Sequence, residues 1–168
     1  PFRRRRTMTR GPALSEARLD RFARHIVLPE IGGAGQVSLA GRHLVLIGLG
    51  GIGSPALQYL AAAGIGHITI LDDDKVALTD LNRQIIYTMQ NIGASKASQA
   101  ATAATKLNPV IVAEHLDARL SPDNAATLIE AHDIIVDCSD NPETRQLVGT
   151  SCHHLKRPLV FGGAVQLE

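Results

Sequence analysis

The chain has 168 residues, 45% hydrophobic and 20% charged, which is enough apolar material for the core of one domain and excludes wholesale disorder. Its 17 Lys and Arg against 16 Asp and Glu leave a net charge of +1, without the basic excess of a protein that wraps nucleic acid. Aromatic residues are only 3%, with no Trp to form stacking platforms, and 2 cysteines build neither a disulfide framework nor a CxxC zinc knuckle.

Residues 1–14 open with four consecutive arginines and read as a disordered basic leader. No apolar stretch follows them, as a secretory signal requires. No run approaches the ~20 apolar residues of a membrane span. Sparse cysteines and no signal predict the cytoplasm and no membrane partner. From Ser15, the apolar Leu19, Phe22, Ala23, Ile26 and Val27 fall at helical spacing, with Ser15 as cap and with Pro29 and the glycines at 32, 33 and 35 as the stop. GQVSLAG (35–41) reads as a second short helix.

HLVLIG (43–48) is a continuous apolar run, as expected of a strand buried on both faces. A glycine turn then enters a small-residue helix that stops at Gly64. HITILDDD (67–74) is the next buried strand, with its aspartates at the carboxyl end. Residues 75–93 read as loop with short helical turns, and 94–108 as an alanine-rich helix. A strand (110–116), a helix begun by Ser121 and Pro122 (121–132), a strand (133–138), a helix (141–156) and a last strand in PLVFGGA (158–164) complete the chain. Strands alternating with helices predict an α/β doubly wound, mostly parallel sheet, Rossmann-like, preceded by N-terminal helices.

Gly48-Leu49-Gly50-Gly51-Ile52-Gly53 fits GxGxxG between a predicted strand and a predicted helix. Gly48 permits the tight turn, Gly50 lets a phosphate approach the backbone, and Gly53 lets helix and strand pack closely. The helix N-terminus favours an anion. Asp72 lies about 20 residues further on, where a carboxylate can accept hydrogen bonds from ribose hydroxyls. Asp74 stands beside it as a further candidate ligand. The motif indicates an adenosine nucleotide but serves NAD and ATP alike.

Asn82-Arg83-Gln84 follows the acidic strand end, Lys96 opens the alanine-rich helix, and Asp140-Asn141 follows the fourth strand. In a doubly wound sheet these positions surround one cleft. Arg83 and Lys96 would bring positive charge to a phosphate chain, and Asp140 could hold Mg²⁺. That set suits a triphosphate better than a dinucleotide. The plain alternatives are solvated cations and an Asp140 that caps the next helix. Other candidates are weaker. Cys138 and Cys152 read as small buried hydrophobes. Neighbouring positions in Cys152-His153-His154 diverge by ~100° on a helix and cannot converge on one ion. Ser54 lacks a GxSxG elbow.

The stretches RFARHIVLPEIGGAGQ, GLGGIGS, LDDDKV, DLNRQ, IGASKA and DCSDN, in this order, resemble the MoeB/ThiF family, bacterial relatives of the ubiquitin-activating enzymes. The likeness runs from about Leu19 to the end. It implies an adenylyltransferase that uses ATP and Mg²⁺ to activate the C-terminal glycine of a ubiquitin-like sulfur-carrier protein, for thiocarboxylate formation in molybdopterin or thiamin synthesis. By motif, Gly51 would contact the nucleotide, Asp72 the ribose, Arg83 and Lys96 the phosphates, and Asp140 with Asn141 the magnesium-bound ATP. Arg24 would be the arginine supplied across a homodimer interface. Asp80 departs from the family, which commonly has Asn there, and a carboxylate near phosphates is repulsive. Residues 15–168 would be the ATP-binding adenylation domain, with the family's zinc-binding CxxC pairs and carrier cradle beyond Glu168 and no zinc in this chain. An NAD(P)-dependent oxidoreductase, a non-catalytic nucleotide-binding module and adenylation of a tRNA base intermediate are the competing readings. The first would need a Lys, Tyr or His at the nicotinamide, and none stands out.

Overall fold

The computed structural model describes residues 14–164, so most of the expected basic leader lies outside the described residues. The strands are β1 (His43–Ile47), β2 (His67–Leu71), β3 (Val112–Leu116), β4 (Ile134–Asp137) and β5 (Leu159–Phe161). All pair in parallel, in the order β3-β2-β1-β4-β5. Between their end residues, the central strands β1, β2 and β4 are apolar except at Thr69, because both of their faces are covered. Leu44, Leu46, Ile68 and Ile70 pack with α4 (Gly53–Ala63) and α5 (Lys96–Leu107) on one face. Val45, Ile47, Leu71 and Ile135 pack with α6 (Pro122–Glu130) and α7 (Pro142–Leu155) on the other. Each such fully buried Leu or Ile contributes about 1.5–3 kcal/mol of transfer free energy. The outer strands are more open: β3 carries Glu114 and His115, and Val160 and Phe161 of β5 are exposed. The alternation of strand and helix is thus the doubly wound sheet expected from the sequence.

The amino-terminal region departs from expectation. In place of one helix there are α1 (Glu16–Arg21) and α2 (Ala23–Ile26), broken at Phe22, where φ is −104° and ψ 14°. The break accompanies burial of the Phe22 ring, beside Gly64 at the end of α4. Gly64 has φ +86°, and a Cβ there would stand 2.6 Å from Phe22 Cζ. Ser15 caps α1 through its backbone oxygen, not its hydroxyl. The glycines expected as a stop instead belong to α3 (Gly32–Ala40). There Gln36 is buried, donating to the Ala63 oxygen at 2.9 Å and accepting from His25 Nδ1 at 3.1 Å. Arg18 and Arg21 donate to the backbone oxygens of Val110 and Leu107, beyond and at the C-terminal end of α5, where carbonyls lack helical donors. No helix among the described residues is long and apolar enough to cross a membrane.

Candidate nucleotide site

The carboxyl ends of β1, β2 and β4 converge on the glycine turn. Gly48 has φ +87°, and a side chain there would press on Ser139 N at 3.0 Å and on the Cys138 carbonyl carbon at 3.1 Å. The turn after β1 therefore rests on the turn after β4. A Cβ on Gly53 would fall 1.8 Å from the Gly48 oxygen, so only glycine lets α4 start this close to β1. Among the described residues beyond its chain neighbours, a Cβ on Gly50 would meet only Gln84 Nε2, at 4.0 Å. The backbone is open on that side to a phosphate.

Asp72 anchors the turn. Its Oδ2 accepts from the Leu49 N–H at 2.7 Å and its Oδ1 from the Asp74 N–H at 2.8 Å. Burial pushes its carboxyl above the ordinary range, against the pull of these hydrogen bonds and of Lys96. The lone pairs left on these oxygens remain available to hydroxyl donors.

Lys96, the first residue of α5, has a side chain only 7% exposed. Ser95 caps that helix, accepting from the Ser98 N–H, and its hydroxyl also donates to Asp117. Lys96 Nζ donates to Asp74 Oδ2 at 3.1 Å and lies 3.4 Å from Asp80 Oδ2. Burial alone would lower its pKa. The hydrogen bond and charge of Asp74, with Asp80 and Asp72, overcome that and raise it, so the ammonium keeps its proton. Arg83 is exposed and lies along Gly51, with Cδ 3.4 Å from where a Cβ would sit. It donates to the Thr79 oxygen at 2.8 Å and to Asn82 Oδ1 at 3.3 Å. Asn82 is thereby a support for Arg83. Gln84 is buried, donates from Nε2 to Asp80 Oδ1 at 3.0 Å, and keeps an unpartnered Oε1.

The β4 turn divides its two candidates. Asn141 Oδ1 accepts from the Glu143 and Thr144 N–H groups and so caps α7. Asp140 is exposed, with no hydrogen bond or ion pair to the described residues. The cap is therefore Asn141, and Asp140 is left open. Arg24 sits apart: it is exposed on α2, which follows the Phe22 contact at the C-terminal end of α4. The glycine turn is at the other end of that helix, about 16 Å away at 1.5 Å per residue. The structure joins Asp72 and Asp74 to the glycine turn and to Lys96, and Asn82, Arg83 and Gln84 to one another or to Asp80, whereas Arg24 lies apart.

The ThiF family model matches residues 22–168. The chain belongs to the ThiF family. It is 43% identical over 155 residues to an adenylyltransferase and sulfurtransferase MOCS3 of Culex quinquefasciatus, covering 92% of this chain and 35% of that protein. It is 39% identical over 150 residues to a sulfur carrier protein adenylyltransferase of Thermus thermophilus, covering 89% of this chain and 55% of the relative. Among solved structures it resembles E. coli tRNA N6-threonylcarbamoyladenosine dehydratase, TcdA, in complex with ATP, with a TM-score of 0.85, 32% identity, and coverage of 92% and 64%. The chain thus spans between about a third and just over half the length of these two curated relatives.

Within this ThiF-family site, sequence reasoning missed three residues. Asp80, seen there only as a departure, is a buried hub. It accepts from the Ala77 N–H at 2.9 Å and from Gln84, and it pairs with Lys96 and, at 3.5 Å, Arg83. Burial would raise its carboxyl, but the Ala77 N–H and Lys96 outweigh that and hold it below the ordinary range. Tyr87 is buried and its hydroxyl donates to the Lys96 oxygen at 3.2 Å, bracing the start of α5; burial pushes its pKa up. Arg145 donates to the Ser139 and Gly162 oxygens and ties the ends of β4 and β5. A backbone oxygen accepts whatever its residue type, so the contacts of Tyr87 and Arg145 leave no motif to find. Cys138 lies behind Gly53, and burial pushes its thiol up to about 11, which suits a packing residue.

Proposed function

We propose that this chain is the nucleotide-binding part of a cytoplasmic, ATP-dependent adenylyltransferase that activates the C-terminal glycine of a ubiquitin-like sulfur-carrier protein. The observation that carries the reading is Lys96 and Arg83 gathered beside an open glycine turn with Asp72. The names of the curated relatives support the substrate class, and ATP in TcdA supports the nucleotide. Thiocarboxylate formation for molybdopterin or thiamin synthesis is the proposed use.

In the reaction, an oxygen of the carrier carboxylate attacks the α-phosphorus. A new P–O bond forms, the bond from the α-phosphorus to the bridging oxygen breaks, and pyrophosphate leaves with that electron pair. The protein supplies position and charge. Asp72 takes the ribose hydroxyls, Gly50 and Gly51 lie against the phosphates, and Lys96 and Arg83 neutralise the leaving pyrophosphate. Mg²⁺, a hard cation that takes carboxylate oxygens, would neutralise phosphate charge; the unpaired, exposed Asp140 is a fitting ligand. Arg24 is exposed on α2, next to the end of α4 opposite the glycine turn, which supports its delivery to the site of a second copy in a homodimer.

The test is ATP–pyrophosphate exchange with candidate carrier proteins. Exchange that requires the carrier's terminal glycine supports the reading, and exchange that needs tRNA instead favours the second one. That second reading, adenylation of a tRNA base intermediate, is favoured by the likeness to TcdA. The net charge of +1 offers it little phosphate-backbone attraction. For the dimer, Arg24→Ala and Arg83→Ala are mixed after separate purification and exchange of subunits. If each variant is inactive, the 1:1 mixture should regain about a quarter of full activity, from the one intact site of each mixed dimer. No regain removes the shared site.

A further inference from the structure

Asp80 is the one described residue that pairs with both cations assigned to the phosphates. Its side chain is 9% exposed and pinned by the Ala77 N–H and by the buried Gln84 amide. It cannot swing away when a nucleotide arrives. Incoming phosphate oxygens therefore meet a Lys96 and an Arg83 that already carry an anion, and they add negative charge close to it. We propose that Asp80 is an internal counter-anion that competes with the triphosphate for Lys96 and Arg83 and reclaims both cations as pyrophosphate departs. It thereby sets how long triphosphate and pyrophosphate stay, and barely affects a monophosphate, which lacks the β- and γ-phosphates. The inference rests on the phosphate-binding reading of Lys96 and Arg83.

Asn is nearly isosteric with Asp, and the unpartnered Gln84 Oε1 could accept from an amide at position 80 after a turn of the Gln84 amide. Asp80→Asn should therefore keep the fold while removing the charge. Calorimetric titrations of the protein with ATP, inorganic pyrophosphate and AMP, each with Mg²⁺, test the idea. Asp80→Asn should bind ATP and pyrophosphate about tenfold more tightly and AMP within about twofold of wild type. Asp80→Glu, which retains the charge, should stay near wild type. Pyrophosphate release, followed by stopped flow, should slow in Asp80→Asn. If that variant loses its native circular dichroism, Asp80→Ser carries the same expectation, with an oxygen kept for the Ala77 N–H. Unchanged or weaker ATP and pyrophosphate binding in the folded, uncharged variant overturns the inference. Wild-type protein that binds no ATP removes the underlying reading instead, a different result from ATP binding without a gain.

Discussion

The two ends of the sheet are both rich in titratable groups, and they treat them in opposite ways. At the amino end, His43 and His67 stack with ring centroids 4.1 Å apart, and the Asp133 carboxylate accepts from the backbone N–H of His43. His132 is buried with both ring nitrogens engaged: Nδ1 donates to the Leu128 oxygen at 2.7 Å, and Nε2 accepts from the Thr69 hydroxyl at 2.8 Å. These groups answer to each other and to the backbone. At the carboxyl end, Arg83 and Asp140 stay exposed, the space over Gly50 is open, and Gln84 Oε1 is unpartnered. Strands of a parallel sheet part into separate loops at their carboxyl ends, so polar groups there surround a cleft. At the amino end the partners leave no opening, whereas at the carboxyl end even the paired Lys96, Arg83 and Asp72 stand beside an open glycine turn.

The largest effect expected from this contrast is on chemistry. Arg83→Ala and Asp140→Ala should each lower pyrophosphate exchange by about 10²–10³ while the melting temperature barely moves, because both side chains are exposed. Exchange at the wild-type rate in either variant would break the assignment of the carboxyl end.

Next come the glycines, which separate packing from access within one turn. Gly53→Ala must place a methyl 1.8 Å from the Gly48 oxygen and should destabilise by about 3 kcal/mol or more, measured by urea unfolding. Gly50→Ala meets only Gln84 Nε2 at 4.0 Å, so it should cost under about 1 kcal/mol of stability and reduce ATP affinity. Equal destabilisation by both would deny the division of labour.

The amino end should reveal itself through pH. Burial depresses the His132 pKa below its unfolded value, so the imidazole is neutral when folded and the unfolded chain binds more protons just below that value. Its contribution is present above about pH 6.5 and is lost as pH falls through the folded pKa. His132→Phe should flatten the dependence of unfolding free energy on pH below about 6.5 relative to wild type. An unchanged slope would show that His132 is not the group responsible.

The smallest effects concern helix caps. Asn141→Ala removes an oxygen that receives two N–H groups and should cost about 1 kcal/mol, whereas Ser15→Ala should stay within about 0.5 kcal/mol because that hydroxyl caps nothing. Similar losses at both positions would contradict these assignments.

Much of this was legible along the chain. Local signals carried it: unbroken apolar runs for β1 and β2, Gly48 to Gly53 between strand and helix, and Pro122 at the start of α6. Strand–helix alternation then confines the candidate site to one edge of the sheet, because a parallel crossover returns every strand in the same direction. What the chain determined by itself was therefore periodicity, turn chemistry and the list of residues carried to that edge. Tertiary structure alone decided how those residues are used. It broke the first helix at Phe22 to bury that ring beside Gly64. It set Arg24 at the far end of α4 and made Asp80 the partner of both Lys96 and Arg83. The Phe22–Gly64 contact and the Lys96–Asp80 pair each join residues well separated in the chain, and such meetings leave no period or motif in the sequence.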